Sequence, residues 1–328
     1  MIFKKLLKGE ILEFDIFSLI KKNKTSLIYL IFLRIYHLLY KKFQRLLLKP
    51  KQRRIFQKIE KFIFTNKNKN SNQTNKDIIK KNSELKKNNF IFFEEIFEKN
   101  EIKNLQVKFK NEKNLIDVYT DNKNFSCQKR PISARMGYIP TEHIFNDEIV
   151  LKAANNKNLV SLLDNYFNCK YSLDWAWAWW SFESKEKDHG PQNFHRDYES
   201  LNFIKVFVYL TDVINNDDGC HEFVLSSSYI NQFYKRKRFD QNYIKNKFKN
   251  NLIKIFGKAG TTFIVDTYGI HRGVKPKAKD RLVLSLLYSV FPSNRSPKIP
   301  PLNFSELNNK NLYKKNKYLN RLFINFDR

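Results

Sequence analysis

Leu173-Asp174-Trp175-Ala176-Trp177-Ala178-Trp179-Trp180-Ser181-Phe182 reads as a strand, the first of five short apolar runs in the second half of the chain. Residues 203–210, 222–225, 261–265 and 282–290 follow it, rich in Val, Ile, Phe, Tyr and Trp, which suit a pleated, buried surface. Six of the eight glycines (Gly190, Gly219, Gly257, Gly260, Gly269 and Gly273) fall in the gaps between them. Short strands punctuated by turn residues predict an antiparallel sandwich or jelly roll.

Upstream the pattern changes. Residues 90–170 mix helical runs, 91–97 and 148–167, with a less regular stretch around Arg130-Pro131, and predict a helical buttress for the sheet. Residues 1–64 read as a basic helical extension broken at Pro50. Between Asn66 and Asn89, 15 of 24 positions are Asn or Lys, so 65–89 is expected to be a linker without enough apolar surface to fold. The expected organisation is therefore extension 1–64, linker 65–89, main domain 90–291 with its β-core at about 171–291, and a C-terminal tail 292–328.

The chain has 328 residues and a formal net charge of +29, which first suggests a nucleic-acid binder. Position argues against that. Residues 1–89 hold 23 Lys/Arg and 6 Asp/Glu, a net of +17, whereas 171–291 hold 18 and 13, a net of +5. The run Lys235-Arg236-Lys237-Arg238 reads as solvated. Cys127, Cys169 and Cys220 form no C-x-x-C pair, so neither a disulfide framework nor a thiolate zinc site is expected, and a reducing cytoplasm is the default compartment. The apolar stretch 27–33, interrupted by Arg34 and His37, is too short to span a bilayer. It reads as a helix packed on the domain, with peripheral contact of 27–49 with anionic lipid as the alternative.

Chemistry concentrates in Asn193-Phe194-His195-Arg196-Asp197-Tyr198. On a strand, residues i and i+2 point the same way, so His195 and Asp197 reach one point in space. A second histidine follows a later strand, in Asp266-Thr267-Tyr268-Gly269-Ile270-His271-Arg272-Gly273, and Arg281 opens the next. Two histidines and one carboxylate on one face of a metal leave its other positions open, the arrangement of non-haem Fe(II) oxygenases. An arginine near such a site can hold a dicarboxylate by two parallel hydrogen bonds. Trp175, Trp177 and Trp179 share one strand face, either as core or as pocket lining, and Arg130 and Arg135 are candidates for an anionic substrate group.

These stretches, with Val208-Tyr209-Leu210-Thr211-Asp212-Val213 and Asp218-Gly219-Cys220-His221-Glu222-Phe223, resemble the phytanoyl-CoA dioxygenase branch of the Fe(II)/2-oxoglutarate-dependent dioxygenases over about a third of the chain. The resemblance implies a double-stranded β-helix, with His195, Asp197 and His271 as iron ligands. It implies that Arg281 anchors the far carboxylate of 2-oxoglutarate, that Thr211 touches the same co-substrate, and that Trp177 and Trp179 line the pocket. The implied reaction consumes O2, converts 2-oxoglutarate to succinate and CO2, and hydroxylates a small-molecule or lipid- or glycan-type substrate. The chain departs from the family at Ser226-Ser227-Ser228, where relatives carry a Gly-Ser-His turn, and in its first 90 residues. Two other classes share part of the pattern: a non-enzymatic basic scaffold or nucleic-acid binder on a jelly roll, and a metal-dependent cupin enzyme that does not use 2-oxoglutarate. His189 reads as loop and His221 as structural.

Overall fold

A computed structural model describes Leu39 and residues 49–65, 75–120, 122–185, 187–235, 237–293, 295–297 and 300–326. The apolar stretch 27–33 and nearly all of 27–49 lie outside the described residues. In chain order come helices α1 (Pro50–Ile63) and α2 (Lys76–Asn88), strand β1 (Phe90–Phe93), helix α3 (Lys99–Lys110), and strands β2 (Leu115–Asp117), β3 (Asn122–Phe125) and β4 (Met136–Tyr138). Helices α4 (Thr141–Phe145), α5 (Glu148–Ala154) and α6 (Lys157–Phe167) precede β5 (Ser172–Ser181), β6 (Phe203–Tyr209) and β7 (His221–Val224). Helix α7 (Gln241–Lys247), β8 (Leu252–Ile255), β9 (Thr262–Val265), β10 (His271–Gly273) and β11 (Arg281–Ser289) complete the core. The C-terminal part adds β12 (Leu302–Asn303), α8 (Lys310–Lys315), α9 (Lys317–Asn320) and β13 (Ile324–Asn325).

The strands form an antiparallel eight-stranded sheet, β1-β9-β6-β11-β5-β4-β2-β3, and a smaller sheet, β10-β7-β8. A bridge from His195 to His271 extends the smaller sheet along β10, and Phe194 bridges Phe239 beside it. From β5 onward the chain passes back and forth between the sheets: β5, then 194–195, β6, β7 and β8, β9, β10, β11. That alternation is a double-stranded β-helix, a jelly roll with a helical buttress, as the strand pattern predicts.

Strand β5 shows how the sequence assigns its faces. Ala176 and Ala178 are buried in the core shared with the helices, with Leu162 and Leu163 of α6 in the same cluster. Their small side chains let the helices approach closely. Trp177 and Trp179 alternate onto the opposite, interior face. Strand β5 bulges at Asp174, where the pairing with β11 slips between Leu287 and Tyr288. The Asp174 carboxylate accepts hydrogen bonds from Ser289 Oγ (2.6 Å), Ser293 N (2.8 Å), Ser293 Oγ (2.9 Å) and Ser296 Oγ. These bonds fasten the start of the C-terminal segment to the sheet.

Pro50 marks the expected break: Lys49 is extended and α1 starts at Pro50, whose missing N–H is harmless in the first turn. Two expectations are corrected. Residues 76–88, expected within a linker, form α2. Ile78 and Leu85 recur at helical spacing and are buried, and Asn75 Oδ1 caps the helix by accepting from Asp77 N (3.0 Å). The segment 292–328 is no loose tail: Leu319, Leu322, Phe323 and Ile324 are buried, and Phe323 meets Phe145 edge to face at 4.7 Å.

Helix α1 is bound to the site end of the barrel. The buried Arg53 guanidinium donates to Ser200 O and to Leu201 O (2.9 Å), and Gln57 Nε2 donates to Leu201 O (2.7 Å). The same guanidinium lies 4.1 Å from the Tyr268 ring, which also carries Arg196 at 5.0 Å.

Candidate metal centre

His195 and His271 face each other across the bridge that joins 194–195 to β10. His195 N donates to His271 O (2.9 Å) and His271 N to His195 O (3.0 Å), placing the ring centroids 4.3 Å apart. The next turn is held by Asp197 N donating to Thr267 O (2.9 Å). Each imidazole is then oriented by its own neighbourhood: Nδ1 of His195 bonds Asn193 O (2.9 Å) and Nδ1 of His271 bonds Gly269 O (3.0 Å). With Nδ1 as donor to a carbonyl, each Nε2 keeps its lone pair and points inward. Nε2 of His195 lies 3.5 Å from Asp197 Oδ1, and Nε2 of His271 lies 3.4 Å from Asp197 Oδ2. The three ligand atoms lie within 4.8 Å of one another.

The protonation states suit a cation. Burial drives the His195 pKa down to about 4, assisted by His271 and opposed by Asp197, so the ring is neutral near pH 7. Burial disfavours the Asp197 carboxylate, but Lys205 and the two histidines hold it well below the usual carboxylate range. Two inward-facing imidazole nitrogens and one carboxylate form a donor set that fits Fe(II) and leaves coordination positions free.

Ser227 holds the second ligand loop: its Oγ accepts from Ile270 N (2.7 Å), next to His271. Ser226 takes the left-handed conformation (φ +59°) that glycine favours. Gly269 is required by space, since a Cβ there would lie 2.7 Å from the Phe223 ring.

Beyond the triad the interior opens into a cavity of about 650 Å³. Arg281, at the start of β11, is buried in its wall. Its Nη2 donates to Ser181 Oγ (3.0 Å) and its Nη1 to Val274 O (3.4 Å), while Nε is buried without a partner. Among the described residues no carboxylate pairs with it: Asp280 pairs with Arg130 (2.8 Å), and Asp266 Oδ1 accepts from Tyr268 N (3.1 Å). Burial lowers the guanidinium pKa, and only Tyr209 and Cys220 act in the other direction. Two more unpartnered buried atoms belong to residues of the same wall, His221 Nε2 and Ser285 Oγ.

The structure thus brings His195, Asp197, His271, Arg281, Trp177 and Trp179 to one cavity. It does not bring Thr211 or Arg130 there. Thr211 Oγ1 accepts from Leu282 N (3.0 Å) at the end of the β6–β11 pairing, and Arg130 lies over Phe182 at 4.7 Å while pairing with Asp280. Arg135 donates to Ser184 Oγ (2.6 Å), and Trp175 packs on Phe145 at 5.0 Å.

Lys205, His221, Lys237 and Arg238 are cavity residues whose place the sequence reading missed. Lys205 Nζ lies 2.7 Å from Asp197 Oδ2 and 3.6 Å from Glu199, over the Trp177 ring at 5.0 Å. Burial disfavours its charge, yet Asp197 and Glu199 keep its pKa above the ordinary lysine value. The available signal was a lone lysine inside an otherwise apolar strand. His221 stacks on His271 at 5.4 Å and 11°, and burial, aided by the neighbouring His271 and Arg281, drives its pKa well down. Arg238, read as part of a solvated run, lines the cavity with Lys237.

No family model matches the chain, and no curated protein matches it. Solved structures with similar shape include the non-heme α-ketoglutarate-dependent epimerase SnoN from nogalamycin biosynthesis, at 14% identity and TM-score 0.49, covering 65% of this chain and 83% of that one. The carbocyclase SnoK of the same biosynthesis matches at 10% identity and TM-score 0.49, covering 69% and 89%. HygX from Streptomyces hygroscopicus, with nickel and 2-oxoglutarate bound, matches at 12% identity and TM-score 0.47, covering 68% and 89%. At such identities no residue's role transfers from them, and the jelly-roll assignment rests on the strand pairing.

Proposed function

We propose that the protein is an Fe(II)/2-oxoglutarate-dependent dioxygenase that hydroxylates a small-molecule or lipid- or glycan-type substrate, converting 2-oxoglutarate and O2 to succinate and CO2. One observation carries the reading: a buried guanidinium without a carboxylate partner shares a cavity with two inward-facing imidazoles and a carboxylate. A buried, uncompensated cation costs several kcal/mol, so its retention beside the triad is best explained by an anion that arrives from solution. A dicarboxylate satisfies both ends, one at the metal and one at Arg281.

His195, Asp197 and His271 would hold the iron, which when bound supplies the activation of O2. Arg281 and Ser181 grip the distal carboxylate, and Arg281 Nε is free to donate to it. Apolar side chains, Phe207, Phe263 and Val283, line that part of the cavity and exclude water from the reacting groups. Lys205 keeps Asp197 ionised and bonded at Oδ2. Trp177 and Trp179 offer flat apolar faces to a substrate, and Tyr119 and Tyr138 line the cavity with them.

The test is an anaerobic titration with Fe(II) and then 2-oxoglutarate, following the weak visible charge-transfer absorption of the chelate. The expected result is a band in the wild type that is lost in His271→Ala. A folded, metal-loaded protein with no band overturns the 2-oxoglutarate reading and leaves a cupin-type metal enzyme.

A further inference from the structure

Helix α1 sits with its polar face inward. Arg53, Gln57 and Glu60 face the domain, whereas Ile55 (54% exposed), Ile59 (45%), Phe62 (83%) and Ile63 (39%) face outward. Their spacing of 4, 3 and 1 makes a continuous stripe on a 3.6-residue helix, not scattered apolar residues. Lys51, Arg54, Lys58 and Lys61 form a second stripe beside it, and the only acidic residue of α1, Glu60, is buried. An apolar stripe edged by cations with no exposed acid is the pattern of a helix lying in a lipid interface. At 14 residues α1 is about 21 Å long, and among the described residues no helix is long and apolar enough to cross a membrane.

The charge continues on both sides of the helix. Residues 1–49 carry 11 Lys/Arg and 3 Asp/Glu. Through Lys51 N donating to Asn231 Oδ1 (3.2 Å) and Arg54 lying over Tyr229 (5.5 Å), α1 abuts the segment that brings Lys237 and Arg238 to the cavity wall. We infer that α1 is a membrane-docking element: Ile55, Ile59, Phe62 and Ile63 enter the headgroup–acyl boundary of an anionic bilayer, and Lys51, Arg54, Lys58 and Lys61 pair with its headgroups. This surface is independent of the reaction the cavity runs.

The experiment is co-sedimentation of the full chain with vesicles of phosphatidylcholine alone and of phosphatidylcholine mixed with phosphatidylserine. Thermal unfolding and hydrodynamic mass are measured in parallel. The wild type is expected to bind the anionic vesicles, to bind them less at high salt, and to ignore the neutral ones. Ile59→Asp/Phe62→Asp is expected to lose on the order of tenfold or more in binding, with unfolding temperature unchanged because both side chains face outward. Arg54→Gln/Lys58→Gln is expected to lose several-fold on anionic vesicles only. The proposal is overturned if the wild type binds neither vesicle, or if Ile59→Asp/Phe62→Asp binds as the wild type does. It is equally overturned if that variant unfolds early or halves its mass, because the stripe is then covered by this chain or by a second copy.

Discussion

Arg281→Met separates stability from binding in one residue. Arg281 is 5% exposed, and its protein partners are Ser181 Oγ at 3.0 Å and Val274 O at 3.4 Å. Losing both bonds costs about 2 kcal/mol. Removing an unpaired buried guanidinium recovers roughly 3–5 kcal/mol of desolvation, and methionine fills most of the same volume. The metal-free variant is therefore expected to be more stable than the wild type by about 1–3 kcal/mol, a rise of a few degrees in unfolding temperature. Co-substrate binding moves the other way. Loss of charge-assisted bonds to a carboxylate costs about 3 kcal/mol, or roughly a hundredfold in the Kd for 2-oxoglutarate. Differential scanning calorimetry of the chelator-treated proteins reads the first effect, and calorimetric titration of the metal-loaded proteins reads the second. A variant that loses more than about 2 kcal/mol of stability and binds 2-oxoglutarate as the wild type does would refute the reasoning. Arg281 would then be an ordinary structural residue.

Three further outcomes follow from the same geometry. In the metal-free protein the folded His195 pKa of about 4 lies below its unfolded value. Stability is thus full above pH 6.5 and falls toward pH 4 as only the unfolded chain takes up the proton, by about 3 kcal/mol; a melting temperature flat across that window would contradict it. Lys205→Met leaves Asp197 buried without its ammonium, and is expected to cost about 2–4 kcal/mol without metal and less with a divalent ion bound. Equal losses with and without the ion, read by chemical denaturation, would count against that. Gly219 has φ +76°, and a Cβ there would lie 2.7 Å from Pro276 N and Val274 O, which are backbone atoms that cannot swing aside. Gly219→Ala is therefore expected to lower stability by about 3 kcal/mol; a loss under about 1 kcal/mol would show that the 274–276 segment yields.

The parts of this protein legible in sequence are those where period and side-chain chemistry agree. Strands β5, β6, β7, β9 and β11 announce themselves because β-branched and aromatic runs alternate with glycine-bearing gaps, and the histidine–x–aspartate spacing matches the strand period; the short β8 and β10 lie outside those runs. Lys205 is hidden because a single charge inside the run Phe-Ile-Lys-Val-Phe-Val-Tyr looks like noise, and its partner Asp197 reaches it only in three dimensions. Helix α2 is hidden by composition, since Ile78 and Leu85 suffice to bury one face of an Asn/Lys-rich segment. The orientation of α1 runs against hydrophobic patterning: Ile55, Ile59 and Phe62 would be expected to face the domain, yet Arg53 is the residue that fits there. A guanidinium finds three carbonyl and ring partners in that socket, a gain that exists only in the folded chain.

The Tyr268 ring, three residues before His271, carries both Arg53 of α1 and Arg196, the residue separating the other two triad members. Any trimming of the gene is affected by this. The Lys/Asn-rich run invites a cut ahead of residue 75, and such a shortened protein would retain every triad side chain and every core strand. It would still lose the Arg53 contacts to Ser200 O, Leu201 O and the Tyr268 ring, while the His195–His271 bridge and the Asp197 N bond to Thr267 O remain. A truncated preparation that folds, purifies well and shows lowered activity would be reporting the loss of that support beside the triad.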